Sequence, residues 1–480
     1  MIAKQIRIRV LAVLLIASTL LVAAKKTSDL QSPDEKALAT HISAQSLRGH
    51  VSFLSSDLLE GRDTPSRGLN IAAEYIAAQF RRIGLEEAGD DGYFQTATVP
   101  TTEQPKKGWQ LAIRYAGKEL TIPEDQITGI VSHAIDLKAA PVFKAARGAV
   151  FPADLNQTVI LVDKDDRSLR RKLKQAKPAA IITVRSSKQP LEGKQFLPSK
   201  TDRIFSGNED LAKLFDAMPA GRTQATVFLH APAPVETPAV FRNVIGILRG
   251  SDPVLKDTYV FLTAHYDHLG VKPGSEGDRI YNGANDNASG TASLIEIAEA
   301  LASLQPRPKR SIVFMTVAGE EKGLIGSEYY EKHPVFPIEK TVADINLEQL
   351  GRTDDLEGPR IGSASVTGLT YSDVGTVLRE AGKKTGVKIH EDQKSDEYFE
   401  RSDNLAFAKN GIPAHTVGVA YAFPDYHLVS DEWPKIDYTN MAKIDRMIAT
   451  ALLMLADNPV APSWNAENAH TEEYRKAIHP

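Results

Sequence analysis

The sequence predicts an α/β protein, a mostly parallel mixed sheet flanked by helices, with a further domain inserted toward its N-terminal end. Three observations predict it. Tyr259–Ala264 is almost wholly apolar, and Ser311–Val317 and Ala343–Leu347 are two more strand-like runs; near-continuous apolar strands suit a parallel sheet covered on both faces. Between the first two runs, Leu294, Ile297, Ala298, Leu301 and Leu304 recur on one helical stripe. The 480 residues exceed one ordinary core and allow two or three domains.

The elements follow in order. Lys4, Arg7 and Arg9 precede a short apolar run, Val10–Val22, and small residues Val22 and Ala24 mark a cleavage position; this pattern predicts an export signal over residues 1–24. The competing reading is an uncleaved anchor, but the run is shorter than the roughly 20 residues that span a bilayer. No second apolar run of that length follows, so no membrane span is expected after cleavage. Ile42–Leu85 has helical periodicity, broken by a turn at Leu59–Asp63 and ended by Gly84. From Thr101 to Glu236 prolines and lysines are frequent and apolar runs short. Val159–Val162 and Ala179–Val184 read as buried strands joined by a helix over 168–177, and Ala231–Pro234 reads as a return linker. The segment after Pro459 reads as a polar tail.

Composition excludes several functions. With 42% apolar and 25% charged residues the chain is globular, not disordered. Its net charge is -4, and no concentrated basic face points to nucleic acid. The run Arg170–Lys174 follows Asp163, Asp165 and Asp166 and reads as a solvated helix face. There is no cysteine, which removes disulfides, thiolate metal sites, a Cys nucleophile and a lipid-modified cysteine together. Any metal is therefore held by His, Asp and Glu, a donor set suited to zinc, manganese or magnesium.

The chemistry-bearing residues follow the strands. The first ends in His265-Tyr266-Asp267-His268, the second in Gly319-Glu320-Glu321, the third in Glu348. Asn285-Asp286-Asn287 opens the intervening helix, and Asp425-Tyr426-His427 comes later. Parallel strands bring such ends to one sheet edge, where open α/β sheets place their ligands. Each motif alone has an ordinary explanation: a surface His-x-Asp, a solvated Glu-Glu turn, or Asp286 capping its helix. Together they concentrate anionic and imidazole groups beside buried strands, which is costly without a cation. A divalent metal pair resolves the conflict.

The segments AHYDHLG, NGANDNASGTASLIEIAEAL, GEEKGLIGSEYY, NLEQLGR and YHLVSDE, in this order, resemble the co-catalytic zinc aminopeptidase family that includes aminopeptidase Y and glutamate carboxypeptidase II. FRNVIGILRGSDP, SDNLAFAKNGIPA and LSSDLLEGRDTPSRGLNIAAEYI agree with it. The resemblance implies a zinc-exopeptidase fold, two zinc ions and peptide substrates. His265 and Glu348 would bind one zinc, Glu321 and His427 the other, and Asp286 would bridge them. Glu320 would be the general base, Asp267 would orient His265, and Tyr426 would hydrogen-bond the reacting carbonyl oxygen. His268 has no role in that comparison and reads as structural or as a pocket residue. Tyr398, Phe399 and Phe423 are candidates for a specificity pocket.

The resemblance also divides the chain: signal 1–24, first part of the catalytic domain 25–100, inserted protease-associated domain 101–236, catalytic peptidase domain 237–460, polar tail 461–480. An exported chain without cysteine fits a periplasmic or secreted protein. Glu348 is the departure, since the family usually has Asp there; in the wider clan glutamate often accompanies carboxypeptidase activity. Carboxypeptidase or dipeptidase action therefore stays open beside aminopeptidase action. So do a one-zinc glutaminyl cyclase and an inactive receptor-like binding protein on the same scaffold.

Overall fold

Alternation of apolar strands with short connections builds two units, Met1–Ala97 with Phe241–Pro480, and Thr98–Val240. The computed structural model describes residues 32–146, 149–152, 154–163, 177–185, 196, 202–272, 276–391 and 393–477. The expected export signal, the Arg170–Lys174 run and nearly all of the helix expected over 168–177 fall outside these residues.

The first unit is organised by a nine-stranded mixed sheet. Its centre is parallel. Tyr259–His265 lies between Ser311–Val317 and Thr341–Glu348, parallel to both, and the last pairs in parallel with Ala414–Gly418. Val235–Leu248 runs antiparallel against Ser311–Val317, which makes the sheet mixed. Every residue of Tyr259–His265 and of Ser311–Val317 is buried, so neither strand could be amphipathic. In register, His265 sits beside Val317, and Glu348 beside Gly418. The carboxyl ends of these four strands therefore meet at one edge.

Helices close the faces. Gly290–Ala302 buries nearly its whole surface, and Tyr438–Asp457 buries fourteen residues. Ser43 caps Ala44–Leu54 by accepting the Ser46 N–H at 3.0 Å, and Ser66 caps Arg67–Ile83 in the same way from Leu69. Gly84, at φ +83°, ends the second of these. Between them, the turn expected at Leu59–Asp63 is a 3₁₀ segment, Asp57–Arg62, whose Gly61 approaches Gly270 so closely that a Cβ would lie 2.4 Å from its carbonyl oxygen.

Residues 461–477 carry more than a polar tail. Trp464 and Tyr474 are buried in one cluster with Tyr371, Phe399 and Phe407, and the Trp464 indole donates to the Gly411 carbonyl at 2.7 Å. Two aromatic anchors outweigh the polar average of this segment. The same cluster corrects a second expectation: Phe399 is 2% exposed and belongs to the core, not to a pocket loop.

The second unit is built on an eight-stranded sheet. Ile135–Ala145, Val159–Val162, Ala180–Thr183 and Arg203–Ser206 are consecutive parallel strands, and Gly221–Ala231 runs antiparallel beside the first. Its main core includes Trp109, Leu111, Val159, Leu161, Ile182 and Leu229. Among the described residues no helix is long and apolar enough to cross a membrane.

Candidate metal centre

Four segments at the carboxyl edge of the sheet converge on Asp286. Its Oδ1 lies 3.4 Å from His265 Nε2, and its Oδ2 lies 3.1 Å from His427 Nε2. Glu348 Oε2 is 3.3 Å from the same His265 nitrogen. Glu321 Oε1 is 3.2 Å from the same His427 nitrogen. Two donor groups thus share one carboxylate, His265 and Glu348 on one side, Glu321 and His427 on the other. Tyr426, Asp267 and Glu320 border them.

Local sequence explains the placement. Asn285 and Asn287 fasten the Asp286 segment to the end of the Glu348 strand. Asn285 Oδ1 accepts the Gly351 and Arg352 N–H groups at 2.8 and 3.0 Å. Asn287 Nδ2 donates to Leu347 O at 2.8 Å, and its Oδ1 accepts the Gln349 N–H at 3.1 Å. Asp431 accepts the N–H groups of Asn285 and Asp286 at 3.0 Å from the other side. Asp286 is therefore not a helix cap; Ser289 occupies that position and makes no side-chain cap bond.

Asp267 orients two neighbours. Its backbone carbonyl lies 3.2 Å from His265 Nδ1, with Oδ1 beside it at 3.6 Å, which turns Nε2 toward Asp286, and Oδ1 accepts the Glu320 N–H at 3.2 Å. Gly319, at φ +76°, turns the chain there, and a Cβ would lie 2.1 Å from Ile325. The His427 turn is held through Asp425, which accepts from Ser430, Arg352 and Lys435 at 2.6, 2.7 and 2.9 Å. Burial opposes charge on Asp425, yet these three donors hold its pKa at about 2.

The electrostatics call for a cation. Burial disfavours charge on Asp286, but His265 and His427 hold it far below the usual carboxylate range. Burial likewise opposes ionisation of Glu321, and its histidine partners keep it at about 2. In turn, burial works against a proton on His427, while Asp286 and Glu321 raise it to about 10. His265 is raised by Glu348, Asp267 and Asp286 against the same burial penalty. Nitrogen and oxygen donors gathered in two groups around Asp286 fit divalent zinc. Glu320 differs. Burial, then Glu321, Glu348 and Asp403, push its pKa well above the carboxylate range.

Three residues at the site were not assigned from the sequence. Arg62 is fully buried and donates to Tyr266 O at 2.8 Å, Asn282 O at 2.7 Å, Gly283 O at 3.0 Å and Leu54 O. Burial lowers it to about 10, and Asp267, Asp431, Asp286 and Glu321 oppose that shift. Asp431, in the segment YHLVSDE, holds the backbone of Asn285 and Asp286. His268 is buried with Nδ1 2.9 Å from Glu321 Oε1, near enough to be an alternative donor in the second group. An arginine in LEGRD carries no periodic signal, so only the tertiary contact finds it. Phe423 is 2% exposed and packs edge-on to Tyr426 at 5.9 Å, so it supports the rim and does not line it. Tyr426 is half exposed, with its ring stacked on His427 at 3.9 Å.

Residues 243–452 match Peptidase family M28. Aminopeptidase YwaD of Bacillus subtilis is 27% identical over 282 residues, covering 57% of this chain and 56% of its own. The probable glutamate carboxypeptidase VP8 of Zea mays is 27% identical over 263 residues, covering 49% of this chain and 34% of its own. The chain thus spans about half or less of the length of these curated relatives. An aminopeptidase from Aneurinibacillus sp. strain AM-1 superposes with a TM-score of 0.60 at 20% identity, over 90% of this chain and 97% of its own. BSAP, a zinc aminopeptidase from Bacillus subtilis, gives 0.54 at 19% identity, over 87% and 96%. These likenesses show a shared α/β fold. The matched residues 243–452 carry every donor of the centre, so it is this region that resembles peptidase family M28.

Proposed function

We propose that the protein is an exported metallo-exopeptidase, an aminopeptidase that uses two zinc ions and Glu320 as general base. The observation that carries this reading is Asp286, whose two oxygens face different histidines. His265, Asp286 and Glu348 would hold one ion; Asp286, Glu321 and His427 would hold the other. When bound, such a pair acidifies water and polarises a carbonyl oxygen.

The remaining work falls to this chain's residues. Glu320 takes a proton from the attacking water and delivers it to the departing amine nitrogen. Its raised pKa suits that exchange, and Glu321, engaged by two histidines, is unsuited to it. Asp267 fixes both the His265 ring and the Glu320 backbone. Burial, and then Asp286, Glu321, Glu320 and Glu348, keep the Tyr426 hydroxyl protonated, so it can donate to the oxyanion as it forms. Export rests on Lys4, Arg7, Arg9 and the Val10–Val22 run. The unit of Thr98–Val240 would be the inserted protease-associated domain that the resemblance implies.

The test is metal analysis of the purified chain together with hydrolysis of leucine and alanine p-nitroanilides. Two zinc equivalents with chelator-sensitive release are expected. Glu348 favours one second reading, carboxypeptidase action. Two zinc equivalents with turnover only of N-blocked peptides would establish it instead, and one zinc or none would overturn both.

A further inference from the structure

We propose that Ser402 is a positioning residue that makes Glu348 a ligand through one oxygen. The proposal rests on the metal-centre reading above. A glutamate has one more rotatable bond than the aspartate usual at this position, so by itself it could present either oxygen or both. Ser402 Oγ lies 2.6 Å from Glu348 Oε1, while Oε2 faces His265 Nε2 at 3.3 Å.

The direction of that bond follows from a buried network. The Phe399 carbonyl can only accept, so the Asn404 group 3.0 Å from it is Nδ2. Asn404 Oδ1 then accepts the Thr416 hydroxyl at 2.9 Å. With its proton spent there, Thr416 Oγ1 must accept from Asn346, whose nitrogen Nδ2 lies 3.0 Å away. The same Nδ2 lies 2.7 Å from Ser402 Oγ, which therefore accepts as well. Ser402 has one proton left to give, and Glu348 Oε1 is where it goes. On the opposite side of Asn346, Oδ1 lies 3.1 Å from the Thr263 hydroxyl, which is also 3.0 Å from Asp344 Oδ1. Asn346, Asn404, Thr416, Ser402 and Glu348 are all at most 6% exposed, so no solvent competes for these bonds. A backbone carbonyl thus sets the polarity of a relay that occupies Oε1 and leaves Oε2 for a cation.

The experiment measures zinc affinity by chelator competition on the full chain, beside melting temperature, for wild type, S402A, S402T, E348A, E348D and S402A/E348D. E348A should lose one zinc equivalent. S402A should weaken one zinc by about 10–100-fold, the usual consequence of removing a ligand's orienting partner, and S402T should restore it. In the E348D background S402A should have a much smaller effect, because the shorter side chain does not depend on the hydroxyl. If E348A leaves zinc affinity unchanged, the metal-centre reading fails and this proposal with it. If E348A loses zinc but S402A binds as wild type, only the positioning role falls. Equal weakening in S402A and S402T with a lowered melting temperature would assign Ser402 to core stability and overturn the proposal.

Discussion

Adjacent residues of one type take opposite parts at this centre. Glu321 is engaged by His268 and His427 and ionises readily, whereas Glu320 is buried among like charges that push its pKa up and make its carboxylate the more basic of the two. Replacing Glu320 by Gln should lower kcat by about 10²–10⁴-fold, the usual share of a general base, while zinc content stays at the wild-type value. Loss of metal in that variant would move Glu320 into the ligand set. Asp286 should behave differently. Asp286→Ala removes the carboxylate common to both groups, so both zinc equivalents should disappear in equilibrium dialysis. Retention of two would mean that the shared geometry is not a bridge.

At the scale of elements, the site depends on how closely one helix approaches one strand. Gly290 begins the helix Gly290–Ala302, and a Cβ there would lie 2.4 Å from Asn287 Oδ1 and 2.8 Å from Leu347 O. Its φ is -62°, so backbone conformation does not demand glycine; space does. Gly290→Ala should push the helix away from the strand that ends in Glu348 and cost about 1–3 kcal/mol, as overpacking generally does. Thermal unfolding measures that cost. Because Asn287 links helix start and strand end, zinc affinity should fall with it; an unchanged melting temperature would show that the helix start gives way freely.

For the molecule as a whole, a histidine far from ordinary solvation adds a pH dependence. His415 is fully buried, between Ser372 Oγ at 2.6 Å and Thr367 O at 2.9 Å. Burial pushes its pKa from 6.5 down to about 4. Between those values the unfolded chain binds a proton that the folded chain refuses, so stability falls as pH falls from 6.5 to 4. The loss reaches about 3 kcal/mol for a shift of this size. Denaturant titrations of wild type and His415→Gln across that range should show the wild type losing stability relative to the variant. Parallel curves would mean that His415 titrates normally.

The sequence by itself determined the sheet and the order of its chemistry. Continuous apolar runs fixed Tyr259–His265, Ser311–Val317 and Thr341–Glu348 to within a residue or two. Each runs straight into a polar cluster, because buried parallel strands end together and solvated charge has no other reason to gather there. Tertiary structure alone decided the rest. It brought Arg62 beneath the centre from more than 200 positions away in the chain. It turned Asp431 toward the Asp286 backbone, placed His268 on Glu321, and set Ser402 against Glu348. It also drew Phe399, Trp464 and Tyr474 into one aromatic cluster, where composition suggested a loop and a tail. Periodicity records which face of an element is buried. It carries no information about which distant residue a buried hydrogen-bonding group will find, and that pairing is settled only when the elements pack.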